Sequence, residues 1–99
     1  MNEKKQINEC IEYFKNSSIW KRIFKGFKEK YSSYGRFSGK VIVRNPEDND
    51  IDELEGFFGQ NFHGKKSVTI SAEKFEKALK NSRFKEVSPE EILNAYFGE

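Results

Sequence analysis

Three lysines, Lys21, Lys25 and Lys28, recur at i, i+4 and i+7 and would line one flank of a helix. Arg22, Lys30, Arg36 and Lys40 lie close by in sequence. Cations in such a row can track a nucleic-acid backbone, because phosphate contacts need positive charge along a face and no special geometry. A solvated lysine-rich helix face, partly neutralised by acids elsewhere, shows the same row, and no base-reading motif accompanies it. Trp20 and Phe27 fall on the apolar side of that helix and read as core, not as platforms for stacked bases.

The acids Glu47, Asp48, Asp50, Asp52 and Glu53 form the obvious metal candidate. Counted from Asp48, the run lacks the glycine at the sixth position and the glutamate at the twelfth that a calcium loop requires. Acids in a first helical turn also suit the positive end of the helix dipole. The run therefore reads as a solvated or salt-bridged helix start, and no metal site is assigned. Asp48, Asp52 and Glu55 become candidates for docking on a partner chain instead.

His63 is the only histidine and has no cysteine near it, so a catalytic dyad or zinc site would need partners the chain does not offer. It reads as a loop residue without chemistry. Cys10 is the single cysteine, which excludes an internal disulfide, and its place on an apolar stripe makes it a small buried hydrophobe. The string Gly59 to Lys66 matches GxxxxGKK, but it lacks the hydroxyl that would bind magnesium and does not join a strand to a helix. No nucleophile–base pair emerges, so the expectation is a non-catalytic chain with no cofactor and no small-molecule substrate.

Composition bounds what must position these residues. With 99 residues, 35% hydrophobic and 34% charged, the chain sits near a disordered composition. Ten Phe, four Tyr and one Trp at helical spacing argue for a folded domain with an aromatic core. The net charge is +2, but Lys15 to Arg44 carries nine basic residues and one acid, whereas Glu47 to Glu55 carries six acids and no base. Such blocks can pair with each other or face different partners. No apolar run approaches the roughly 18 residues of a membrane span, and the opening MNEKKQINE lacks a signal-peptide core. A cytoplasmic chain, residues 1–99 as a single domain, is expected.

The spacing predicts a helix over residues 4–15 with Ile7, Cys10, Ile11 and Phe14 inward. Asn16-Ser17-Ser18 breaks it and caps a second helix from Ile19 to Tyr31, whose stripe is Trp20, Ile23, Phe24, Phe27 and Tyr31. The short link suggests an antiparallel hairpin. Residues 32–39 read as a loop pinned by Tyr34 and Phe37. A strand over Lys40–Arg44 follows, then a helix that ends at Gly59. That helix starts either at Asn45 as cap with Pro46 as its first residue, or one turn later through Asp50 and Glu53. Ser67 to Ile70 forms a second strand, and Ser71 caps a helix with Ala72, Phe75, Ala78 and Leu79 on one side. Ser88, Pro89 and Glu91 mark the last helix, with Val87 able to staple onto Ile92. The fold class is α+β, mostly helical, with about five short helices and a small two-stranded sheet. Whether the strands run parallel or antiparallel is left open by the helix and roughly twenty residues between them.

This order of signals resembles a known family. The stretch Ile19 to Phe27 around Trp20, then Gly39 to Asn45, Leu54 to Gly59, Val68 to Ile70, Phe75 to Leu79 and Ser88 to Leu93, is similar to the N-terminal region of JetD-like subunits of Wadjet-type systems. Those are bacterial anti-plasmid defence complexes built around an SMC-like ATPase, and the resemblance is to a variant known only as conserved hypothetical proteins. It covers about Cys10 to Gly98. In that family a C-terminal TOPRIM-like domain binds divalent metal and cleaves DNA, and this chain contains no such domain. The resemblance implies a front module of a longer protein, or a free-standing relative, that engages double-stranded DNA or docks onto other subunits of the complex. It carries over no catalytic residue. The competing expectation is a protein–protein adaptor or inhibitor that binds through its acidic helix or an aromatic surface.

Overall fold

Alternation of capping residues with apolar stripes divides the chain into seven elements. The computed structural model describes residues 2–98, with side chains from residue 6 onward, and contains α1 (Asn2–Lys15), α2 (Ser18–Tyr34), β1 (Lys40–Arg44), α3 (Asp48–Phe58), β2 (Ser67–Ser71), α4 (Ala72–Lys80) and α5 (Pro89–Tyr96). The architecture is α+β and mostly helical, with a single two-stranded sheet among the described residues. None of the helices in the described residues is long and apolar enough to cross a membrane.

Two boundaries differ from the sequence expectation. The second helix runs through Ser32, Ser33 and Tyr34, because the first residue able to end it is Gly35. That glycine takes a left-handed conformation (φ 73°), and its N–H donates to the Tyr31 carbonyl at 2.7 Å. Tyr31 lies one turn beyond Phe27, where the core ends, and is 36% exposed instead of completing the stripe. Of the two aromatics expected to pin the following loop, Phe37 does so, 4.6 Å from Phe27, while Tyr34 stays exposed on the helix.

The start of α3 falls between the two sites expected for it. Asn45 is not a cap: it adopts φ 51°, and its N–H donates to the Lys66 carbonyl at 2.7 Å, extending the strand ladder by one rung. Pro46 then lies ahead of the helix, Glu47 is the N-cap, and the Asp50 carboxylate accepts the Glu47 N–H at 3.1 Å. The box is built from Glu47 and Asp50, not from Asp50 and Glu53. Ser17 holds the N-cap position of α2 without a side-chain hydrogen bond, and the caps of α4 and α5 follow the sequence. Ser71 Oγ accepts from Lys74 N–H, Ser88 Oγ accepts from Glu91 N–H, and Glu91 accepts from Ser88 N–H in return. Val87 and Ile92 are both buried beside that cap.

The strands pair antiparallel, with Lys40 opposite Ser71, Ile42 opposite Thr69 and Arg44 opposite Ser67. Val43, Val68 and Ile70 turn inward and are buried, with Val41 half-buried beside them. Helix α2 packs on this inner face along β1. It approaches closely at Gly26, where an added Cβ would sit 2.7 Å from Val41 Cγ2. On the other side, α1 packs against α2 and α5, and α3 against α4.

At the centre is Phe75 of α4. Its ring lies 5.6–6.4 Å from those of Phe14, Trp20, Phe24, Phe27, Phe37 and Phe57, contributed by α1, α2, α3 and the loop before β1. Truncation of this ring removes contacts to every layer at once. Phe75→Ala is expected to cost about 3–5 kcal/mol, against a total of roughly 5–15 for a small domain. A urea titration reads this, with Phe75→Leu as the milder control. Gly26→Ala is expected to lower the urea midpoint, because overpacking costs about 1–3 kcal/mol against the roughly 1 kcal/mol that alanine contributes to a helix. Pairing it with Val41→Ala should recover part of that loss.

Candidate nucleic-acid interface

The seven cations singled out in the sequence do not share one face. At 100° per residue, Lys21, Lys25 and Lys28 fall within an arc of about 60°, while Lys30 lies about 160° from Lys28. Lys21 and Lys25 are exposed. Lys28 is half-buried, its ammonium 5.2 Å from the Phe97 ring centroid beyond α5. Lys30 lays its methylene stem across Gly39, and Arg22 reaches the end of β1, where Nη2 donates to the Arg44 carbonyl at 3.1 Å. Arg36 and Lys40 are exposed at the start of the ribbon.

The cations thus divide into two groups. Lys15, Lys28, Lys74 and Arg83 lie over the faces of Tyr96, Phe97, Phe62 and Phe84, where the ring quadrupole holds them. Lys21, Arg22, Lys25, Arg36, Lys40 and Arg44 have no carboxylate within 4 Å among the described residues, where the one ion pair is His63 with Glu55.

The acids are engaged elsewhere. Asp50 caps α3 and is nearly buried, and Glu53 turns inward to accept the Trp20 indole N–H at 3.3 Å. The Tyr13 hydroxyl, close to the same carboxylate, has its pKa raised first by burial and then by the Glu53 charge. Glu55 accepts the Phe62 N–H at 2.7 Å and so fastens the loop after α3. Of the residues expected to dock on a partner, Asp48 and Asp52 are exposed, and Glu55 is committed to that loop.

One constellation escaped the sequence reading. Donor atoms of Asp52, Glu55 and His63 lie within 4.8 Å of one another, with His63 Nδ1 3.6 Å from Glu55 Oε2. No spacing signal links Glu55 to His63, because the turn at Gly59 and the loop fastened by Glu55 bring them together. His63 is 72% exposed on its side chain, and the Glu55 oxygen facing it already serves the backbone. Also missed was the outward face of the ribbon, Lys40, Ile42 and Arg44 beside Ser67 and Thr69, all exposed. Period-two alternation in Lys40–Arg44 marks half of this face, whereas the other half depends on the strand register.

A surface hollow of about 740 Å³ lies between the end of α3 and α4, and Gln60, Ser71, Glu73, Lys74, Lys77 and Asn81 are its polar lining. A smaller groove of about 280 Å³ separates α2 from β1, where Lys30, Lys40 and Glu29 meet Tyr34.

Helical layers around one aromatic core, with a two-stranded ribbon on one side, define a small mixed α+β module whose exposed chemistry is charge. The chain belongs to the family described as Protein of unknown function N-terminus (DUF3323), whose model matches residues 37–99. No curated protein and no solved structure matches it.

Burial sets the chemistry of Cys10. It is fully enclosed, and burial pushes its thiol from the ordinary 9.0 up to about 12, against a smaller pull from the Arg83 charge. The folded chain should therefore resist iodoacetamide near neutral pH and react once unfolded in urea. Above pH 9.0 the unfolded thiol loses a proton that the folded one keeps until about 12. Stability should thus fall across that window by up to about 1.4 kcal/mol per pH unit. Urea midpoints for wild type minus Cys10→Ala, taken on both sides of pH 9.0, isolate this contribution.

Proposed function

We propose that the chain is a non-catalytic N-terminal module of a cytoplasmic DNA-processing defence protein, and that it holds double-stranded DNA by its phosphates. The observation that carries this reading is the uncompensated positive surface of α2 and the ribbon. Lys21, Arg22, Lys25, Arg36, Lys40 and Arg44 keep their charge free of carboxylates among the described residues, although the chain has sixteen acids to its eighteen bases. Duplex DNA offers a matching row of negative charge at about 1.7 Å of axis per phosphate, so cations spread over two elements can all be used. The family's description as an N-terminus supports a module joined to further domains, and the resemblance to JetD-like subunits supplies the defence context. Asp48 and Asp52, exposed at the opposite end of the charge scale, are the points at which another subunit would dock.

Titration of a labelled generic duplex by fluorescence anisotropy tests this. Binding is expected at about 50 mM salt and should weaken steeply by about 200 mM, since each phosphate contact adds roughly 0.9 to the log–log salt slope. Replacing Lys21 and Lys25 by alanine should reduce that slope by about 1.8 and leave the thermal unfolding curve in place. A wild-type chain that binds no duplex at the lower salt would remove the proposal.

A further inference from the structure

Antiparallel pairing gives the ribbon a solvent face whose residue types follow a pattern. Strand alternation puts Lys40, Ile42 and Arg44 on that face, and the register sets Ser71, Thr69 and Ser67 opposite them. All but Ser71 are exposed, Ile42 at 47%. The inner face is covered by α2 and the core, so only this side is free. Neither strand carries a carboxylate. Cations continue past both ends: Arg36 before β1, Lys65 and Lys66 before β2, all exposed. The nearest acids in the chain are Glu73, two residues past β2 in the first turn of α4, and Glu47, beyond Pro46 at the start of α3.

We infer that this outward face of the β1–β2 ribbon enters the major groove of duplex DNA, with Lys40 and Arg44 on flanking phosphates and Ile42 and Thr69 over the base edges. The inference rests on the DNA-binding reading above and adds the element and the groove. Size is one argument. Strands about 4.8 Å apart, with their side chains, make a slab that a groove about 12 Å wide admits, whereas a minor groove about 6 Å wide does not. Lys40 and Arg44, four residues apart on one strand, are separated by about 13 Å, which spans such a groove from wall to wall. Chemistry is the other argument. A major groove presents acceptors, amino groups and the thymine methyl. The centre of the face supplies a hydroxyl at Thr69 and an exposed apolar side chain at Ile42, whose contact with a methyl would remove it from water. A protein partner recognised by charge would need an acidic strand-like surface.

Equilibrium titrations with the full chain on three forms of one duplex test this. The forms are the unmodified duplex, the duplex with its major groove filled by glucosylated hydroxymethylcytosine, and the duplex with distamycin in its minor groove. Wild type is expected to bind the filled duplex about tenfold more weakly, the cost of losing one good base contact, and to be indifferent to distamycin. The Lys40→Ala/Arg44→Ala variant changes only exposed side chains. It should lose affinity for the unmodified duplex with its urea midpoint unchanged, and Ile42→Ala should weaken the discrimination between unmodified and filled forms. Equal wild-type affinity for the unmodified and filled duplexes overturns the groove assignment and leaves phosphate binding standing. Failure to bind any of the three at low salt overturns the DNA reading and this inference together.

Discussion

The ring of Phe75 holds the molecule together. A chain of 99 residues with 35% hydrophobic content has little aliphatic surface to bury, and it folds because its apolar content is concentrated in large rings. Phe75 touches aromatic partners from α1, α2, α3 and the loop before β1, and Phe14 meets six rings, Phe75 among them. Many of these pairs are edge-to-face, as the ring quadrupole favours. Each layer is thus held to the same centre, and no element packs as an independent unit.

That centre also shapes the surface. Tyr96, Phe97, Phe62 and Phe84 hold four cations over their faces, Lys28 and Lys74 half-buried and Lys15 and Arg83 exposed. Trp20 needs an acceptor for its indole N–H, and Glu53 supplies it from α3. Asp50 and Glu55 satisfy backbone donors at the two ends of the same helix. Half of the acidic block is therefore used for architecture. Because of this, the positive block from Lys15 to Arg44 and the negative block that follows do not neutralise each other by direct ion pairs among the described residues. Positive charge stays free on α2 and the ribbon while half of the acidic block serves the Trp20 indole and the backbone at the two ends of α3.

Local signals were legible wherever the interaction is local. The cap at Ser88 with Pro89 and Glu91 involves residues three apart, and so does Ser71 with Lys74. Gly59 stops α3 in the left-handed conformation its position suggests. The stripes of α1 and α2 enter the observed core, apart from Ile7, half-buried at its edge, and Tyr31 at the helix end. Asn45 misled because its residue type suits both a cap and a left-handed turn, and pairing with Lys66, twenty-one residues later, selected the turn. The contact of His63 with Glu55 was equally out of reach, since it depends on how the loop after Gly59 folds back.

By itself, the order of residues determined which segments are helix and which are strand, that the core is aromatic, and that charge is the chain's main exposed chemistry. Periodicity and capping act over three or four residues, so they can be read along the line. Tertiary structure alone decided that the strands run antiparallel, that Lys28 belongs to a ring while Lys21 and Lys25 do not, and that Thr69 joins Lys40, Ile42 and Arg44 on one open face. Those outcomes depend on which distant surfaces exclude water from each other, and a packed ring such as Phe75 makes that choice only when all its neighbours are in place.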